Sequence, residues 1–97
     1  MSSKPYRIHP EIDAVIRAAA ARADPAGAVE LALVANRVVS ELHKLARNIA
    51  NEKRGTPEWG RWASLVNSSR DAVLRTATCR KTAVQLAQQE AKPEGDR

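Results

Sequence analysis

The chain has 97 residues, a net charge of +5 and a pI near 10.0, with 43% apolar and 28% charged residues. That length points to one domain, and the apolar share argues against wholesale disorder. Phe is absent and only two Trp and one Tyr occur, so the core has to be built from Ala, Val, Leu and Ile, which suits closely packed helices.

In the head, Ser2 to His9, Tyr6 and Ile8 alternate with Arg7 and His9, a weak strand pattern that Pro5 confines to a sheet edge or a strand start. The head lacks the apolar stretch of a signal peptide, and no apolar run approaches the roughly 20 residues needed to cross a bilayer. A soluble, cytoplasmic protein without membrane attachment is expected. Pro10 opens a first helix predicted over residues 10–23, with Ile12, Val15, Ile16, Ala19 and Ala23 on one side. Glu11 and Asp13 place negative charge at its N-terminus, where the helix dipole favours it.

Asp24-Pro25, an N-cap followed by a first-turn proline, opens a second helix predicted over residues 25–54. Two stripes run along it. Ala28, Leu31, Ala35, Val38, Leu42, Leu45 and Ile49 step by three and four residues and share one face. Arg37, Ser40, Lys44, Arg47, Asn51 and Arg54 follow the same stepping on the opposite face. The apolar stripe is expected to bury against protein, holding the helices together and offering a surface to a second protomer.

Gly55 stops that helix, and Thr56-Pro57-Glu58 opens a third, predicted over residues 57–91. So short a turn folds the two long helices into an antiparallel hairpin. On the third helix Trp62, Leu65, Ala72, Cys79, Ala83 and Leu86 form an apolar line that Val66, Val73 and Ala87 widen, while Ser69, Thr76 and Arg80 interrupt it. Trp59 and Trp62 are expected in the core near the turn, with Trp62 anchoring it. The polar tail, residues 92–97, is expected to fray. The prediction is a single, mainly α domain of three helices built around the hairpin.

Catalytic and metal chemistry find little support. His9 and His43 lie on different elements, no His/Cys/Asp/Glu cluster has metal-ligand spacing, and the four glycines are too scattered for a phosphate loop. Cys79, the only cysteine, excludes an intramolecular disulfide and fits a reducing compartment. It lies on the apolar line and His43 lies off it, so a small buried hydrophobe is favoured over a thiol nucleophile. Glu41 and Asp71, isolated among cations, are expected in surface ion pairs. No enzyme activity, cofactor or metal is predicted.

The charge is uneven. Residues 37–81 carry ten basic and four acidic side chains, a balance of +6, and the remainder sums to −1. Arg37, Lys44, Arg47 and Arg54 span ~25 Å of helix, long enough to follow several phosphates of a duplex that carries one charge per ~1.7 Å of axis. Ser40 and Asn51 within the stripe can hydrogen-bond phosphate oxygens. A solvated helix face is the plain alternative, and an acidic protein surface would serve as a partner equally well.

The order of residues in this stretch adds to the pattern. Asn36-Arg37-Val38, then Leu42, Leu45-Ala46-Arg47, Ile49 and Asn51 resemble the C-terminal motif of the bacterial mobilisation proteins called MobC. His43-Lys44 replaces the family's Asn-Gln pair, and Asn51 stands one residue late. Tyr6 to Ile12, followed by Ala14 to Ala23 and Asp24-Pro25-Ala26-Gly27, is similar to the strand, first helix and turn of the family's ribbon-helix-helix unit. The resemblance implies a DNA-binding accessory protein of plasmid or mobile-element mobilisation. It would bind double-stranded DNA near an origin of transfer and assist a separate relaxase. It also leaves open a short N-terminal strand that pairs two chains into a homodimer and faces Arg7 to DNA over Tyr6 and Ile8. Arg7, Arg37, Lys44, Arg47 and Arg54 become candidate DNA contacts, with Arg61 and Arg75 as weaker ones. The alternative is a small helical interaction or inhibitory module from a mobile element.

Overall fold

In the computed structural model, which describes residues 6–91, three helices follow one another: α1 (Pro10–Ala21), α2 (Pro25–Glu52) and α3 (Trp59–Ala91). The molecule is a slab of 62 × 30 × 15 Å. α2 and α3 form the antiparallel hairpin, and α1 packs against α2. The slab is therefore little more than one helix thick.

Local chemistry sets each start and stop. His9 caps α1, its Nδ1 accepting from the Glu11 N–H at 3.3 Å, with Pro10 in the first turn. α1 ends at Ala21, two residues short of the predicted 10–23, because Ala23 takes a left-handed conformation, φ 52°. Asp24 caps α2: its Oδ1 accepts from the Gly27 N–H at 2.7 Å. Gly27 is also where α1 and α2 come closest, since a Cβ there would lie 2.5 Å from the Ala19 carbonyl oxygen. α2 ends at Glu52, so Arg54 stands in the turn and not on the helix as predicted. Gly55, φ 85°, reverses the chain, and α3 begins at Trp59, leaving Pro57 in the turn. There a backbone hydrogen bond, then the Thr56 side chain and, least, the charge of Lys53 hold the Glu58 carboxyl below the usual range against desolvation.

No strand occurs among the described residues. Residues 6–9 run irregularly into α1, and Tyr6 is fully exposed with nothing packed beneath it. The expected short strand is not formed over residues 6–9: a strand needs a ladder partner, and no other segment among the described residues supplies one. Residues 3–5 of that head and residues 92–97 of the tail lie outside the described residues.

The α2–α3 seam is not the leucine stripe. Asn36, Val39, His43, Ala46 and Ala50 of α2 face Trp62, Val66, Ser69, Val73 and Thr76 of α3, spaced by three and four residues as in an antiparallel coiled coil. Ala46, Ala50 and Ser69 are buried, and their small side chains let the helices approach closely. Two polar contacts fix the register. Asn36 Nδ2 donates to Thr76 Oγ1 at 3.0 Å and to the Val73 carbonyl at 3.3 Å. Seven residues on, His43 Nδ1 lies 3.1 Å from Ser69 Oγ. The Ser69 hydroxyl also donates to the Val66 carbonyl at 3.0 Å. Ser69, Thr76 and Arg80, which looked like interruptions, are thus the partners of His43 and Asn36: Arg80 donates to Asn36 Oδ1 at 3.4 Å.

Three expectations reverse. His43 is part-buried in the seam, whereas Cys79 is exposed. Val38, Leu42 and Leu45 of the leucine stripe are exposed too. Trp62 is half-buried near the turn as expected, but Trp59 is exposed and lies outside the core.

Candidate nucleic-acid interface

The α2 rod is unbroken from Pro25 to Glu52, so helical spacing fixes the relation of its faces. The seam lies between the two stripes. The apolar stripe looks out of one side of the slab, and Arg37, Lys44 and Arg47 look out of the other. Glu41 pairs with Arg37 at 3.7 Å and with Lys44 at 3.3 Å. Both cations still keep 78% and 69% of their side-chain surface exposed, and such exposed pairs contribute little. Arg47 and Arg54 have no carboxylate within 4.0 Å among the described residues; Arg54 donates instead to Asn51 Oδ1 at 3.4 Å. The uncompensated charge therefore sits at the turn end of the stripe.

At that end the cationic side carries a groove of about 340 Å³ between α2 and α3, bordered by Arg47, Asn51, Arg54, Trp59 and Asn67. The combination is suited to anions. Two guanidiniums can each present paired N–H groups to a phosphate, two amides can hydrogen-bond its oxygens, and the indole offers a flat apolar face beside them. Arg70 follows Asn67 by three residues and lies on the same side of α3 by helical spacing. Trp59, Asn67 and Arg70 were not among the sequence-derived candidates. Their one legible sign was the spacing 59, 63, 67 and 70 on α3, which matters only once that flank is known to border Arg47.

The other candidates are placed differently. Ser40 is no free donor, since its hydroxyl donates to the Asn36 carbonyl at 2.7 Å. Arg61 and Arg75 share a face with Leu65, Ala72 and Cys79 by three- and four-residue spacing, so they border the apolar side of the slab. Arg75 also pairs with Asp71 at 3.1 Å, as Glu41 pairs on α2. Arg7 is exposed ahead of α1 and borders neither the groove nor the shallow depression formed by Lys44, Arg47, Asn48 and Asn51.

Among the described residues no three His, Cys, Asp or Glu side chains converge, and no helix is long and apolar enough to cross a membrane. No family model matches the chain, and neither a curated protein nor a solved structure shows significant similarity to it.

Proposed function

We propose that this protein binds double-stranded DNA through the face that Arg37, Lys44 and Arg47 of α2 form with Arg54 of the turn, and that Arg70 and the groove at Trp59 extend that surface. The observation that carries the reading is Arg47 on α2 and Arg54 in the turn, two exposed guanidiniums without a carboxylate within 4.0 Å among the described residues, bordering one groove with Asn51 and Asn67. Phosphate neutralisation is the main source of affinity for such a surface and is independent of sequence. The Asn36 to Asn51 wording adds the narrower part: an accessory role in plasmid or mobile-element mobilisation, near an origin of transfer and beside a relaxase that does the nicking. The proposal does not use a paired-strand ribbon.

Fluorescence anisotropy of a labelled random duplex at low salt tests the reading. Saturable binding, weakened by Arg47→Ala with Arg54→Ala, is expected. Affinity for an acidic polypeptide with none for the duplex would replace it by the interaction-module alternative. A relaxase pull-down on transfer-origin DNA tests the mobilisation part separately.

A further inference from the structure

The side of the slab opposite the cations lacks a partner. Val38 is 54% exposed, Leu42 39% and Leu45 56%, although they are the most regular apolar residues of the chain. Leu31 of the same stripe borders a groove of about 840 Å³ together with Cys79 and Leu86 of α3 and with Ala19 and Ala20 of α1, so α2 and α3 contribute to one apolar face that α1 flanks at the end away from the hairpin turn. Burial elsewhere is slight: among the described residues the buried hydrophobic ones are Ala19, Ala46 and Ala50, and no large side chain is fully buried. Helical domains gain stability by packing a second layer on such a face, and this chain supplies one layer.

We propose that this face is a homodimer interface, and that two copies stack through it to form a four-helix core. The size fits. The α2–α3 face is ~40 Å long and ~20 Å wide, on the order of 800 Å², which is about what each partner contributes to a stable interface. The charges favour a second copy in one orientation. Glu30, Glu41 and Glu52 recur every eleven residues along the outer edge of α2, while Arg61 and Arg75 flank the apolar line of α3. A two-fold axis parallel to the helices lays α2 of one copy over α3 of the other, antiparallel. The seam sets Asn36 level with Thr76 and His43 level with Ser69. On the same register Arg61 falls beside Glu52 of the partner subunit, and Arg75 falls within about one turn of Glu41 of the partner subunit, so that this contact exchanges with the exposed pairs that Arg75 makes to Asp71 and Glu41 makes to Arg37 and Lys44 within one chain. The other in-plane two-fold axis would set the acidic edges against each other, which costs energy. In the favoured arrangement the apolar stripes meet, the acidic and basic rims alternate, and the cationic faces point outward on opposite sides. The dimer stands independently of DNA binding.

Sedimentation equilibrium of the full chain without DNA tests it. In the micromolar range the mass is expected at twice 10.6 kDa. Val38→Gln with Leu45→Gln should return it to the monomer mass, and Arg47→Ala with Arg54→Ala should leave the dimer intact. Arg61→Glu with Arg75→Glu changes only exposed residues and should weaken association on the order of tenfold, with Glu41→Arg and Glu52→Arg restoring it. Alkylation of Cys79, exposed in the single chain, should slow as concentration rises. A wild-type chain that stays at the monomer mass overturns the proposal. So does a dimer that the Val38/Leu45 variant leaves unchanged, or one in which Cys79 keeps its full reactivity.

Discussion

Replacing Asn36 by Ala removes the side chain that ties α2 to α3 at mid-seam. Two cross-helix hydrogen bonds disappear, from Nδ2 to Thr76 Oγ1 at 3.0 Å and to the Val73 carbonyl at 3.3 Å. Each contributes about 1 kcal/mol net. The Arg80 contact at 3.4 Å is solvent-exposed and adds little. No orphaned group raises the cost, because Thr76 still donates to the Ala72 carbonyl at 2.8 Å. The expected loss is therefore about 2 kcal/mol, which lowers the Tm of a domain of this size by on the order of 10 °C. Urea and thermal melts followed by far-UV circular dichroism at one protein concentration measure it. Asn36→Leu should instead cost less than about 1 kcal/mol, because an apolar side chain suits the seam, while the register loses a polar constraint. If the Ala variant melts within about 0.5 kcal/mol of wild type, the hydrogen bonds at Asn36 do not hold the hairpin together.

The second cross-helix contact should show coupling: a double-mutant cycle of His43→Ala and Ser69→Ala, whose side chains meet at 3.1 Å, is expected to give about 1 kcal/mol. Ala23→Gly relieves a left-handed residue at φ 52° and should raise stability by up to about 1 kcal/mol. Gly27→Ala places a Cβ 2.5 Å from the Ala19 carbonyl, so α1 must shift, at a cost of about 1–3 kcal/mol; hydrogen exchange should accelerate in α1 before it does in α2. Glu58, with its pKa lowered in the fold, contributes stability that is present above the unfolded carboxyl pKa and fades as pH falls through the folded one. Acid melts of Glu58→Gln should lack that step.

Helix number, order and the hairpin turn were legible because their signals are local. Pro10, Pro25 and Gly55 act through backbone geometry alone, and Asp24 needs only its own helix to cap. The seam was not legible, because neighbouring stripes compete on one helix and hydrophobicity ranks them wrongly. Leu31, Val38, Leu42 and Leu45 read as core, yet the hairpin closes on Asn36, Val39, His43 and Ala46. Small and paired polar residues win there: Ala46 and Ala50 permit close approach, while Asn36 and His43 find partners on α3 that no sequence window of α2 reveals. Cys79 and His43 exchange places for the same reason. The cationic stripe was legible from spacing, but its extension onto Trp59, Asn67 and Arg70 depends on which flank of α3 borders it.

The central claim is that the α2 cations meet phosphates of a DNA duplex. Measuring the affinity for a random duplex across a salt series tests it most directly. Four contacts predict that log affinity falls with log salt at a slope of about −3 to −4 per protomer. Arg47→Ala with Arg54→Ala should flatten the slope by nearly 2 on every DNA sequence. No binding at low salt, or a slope that this double substitution leaves unchanged, would contradict it.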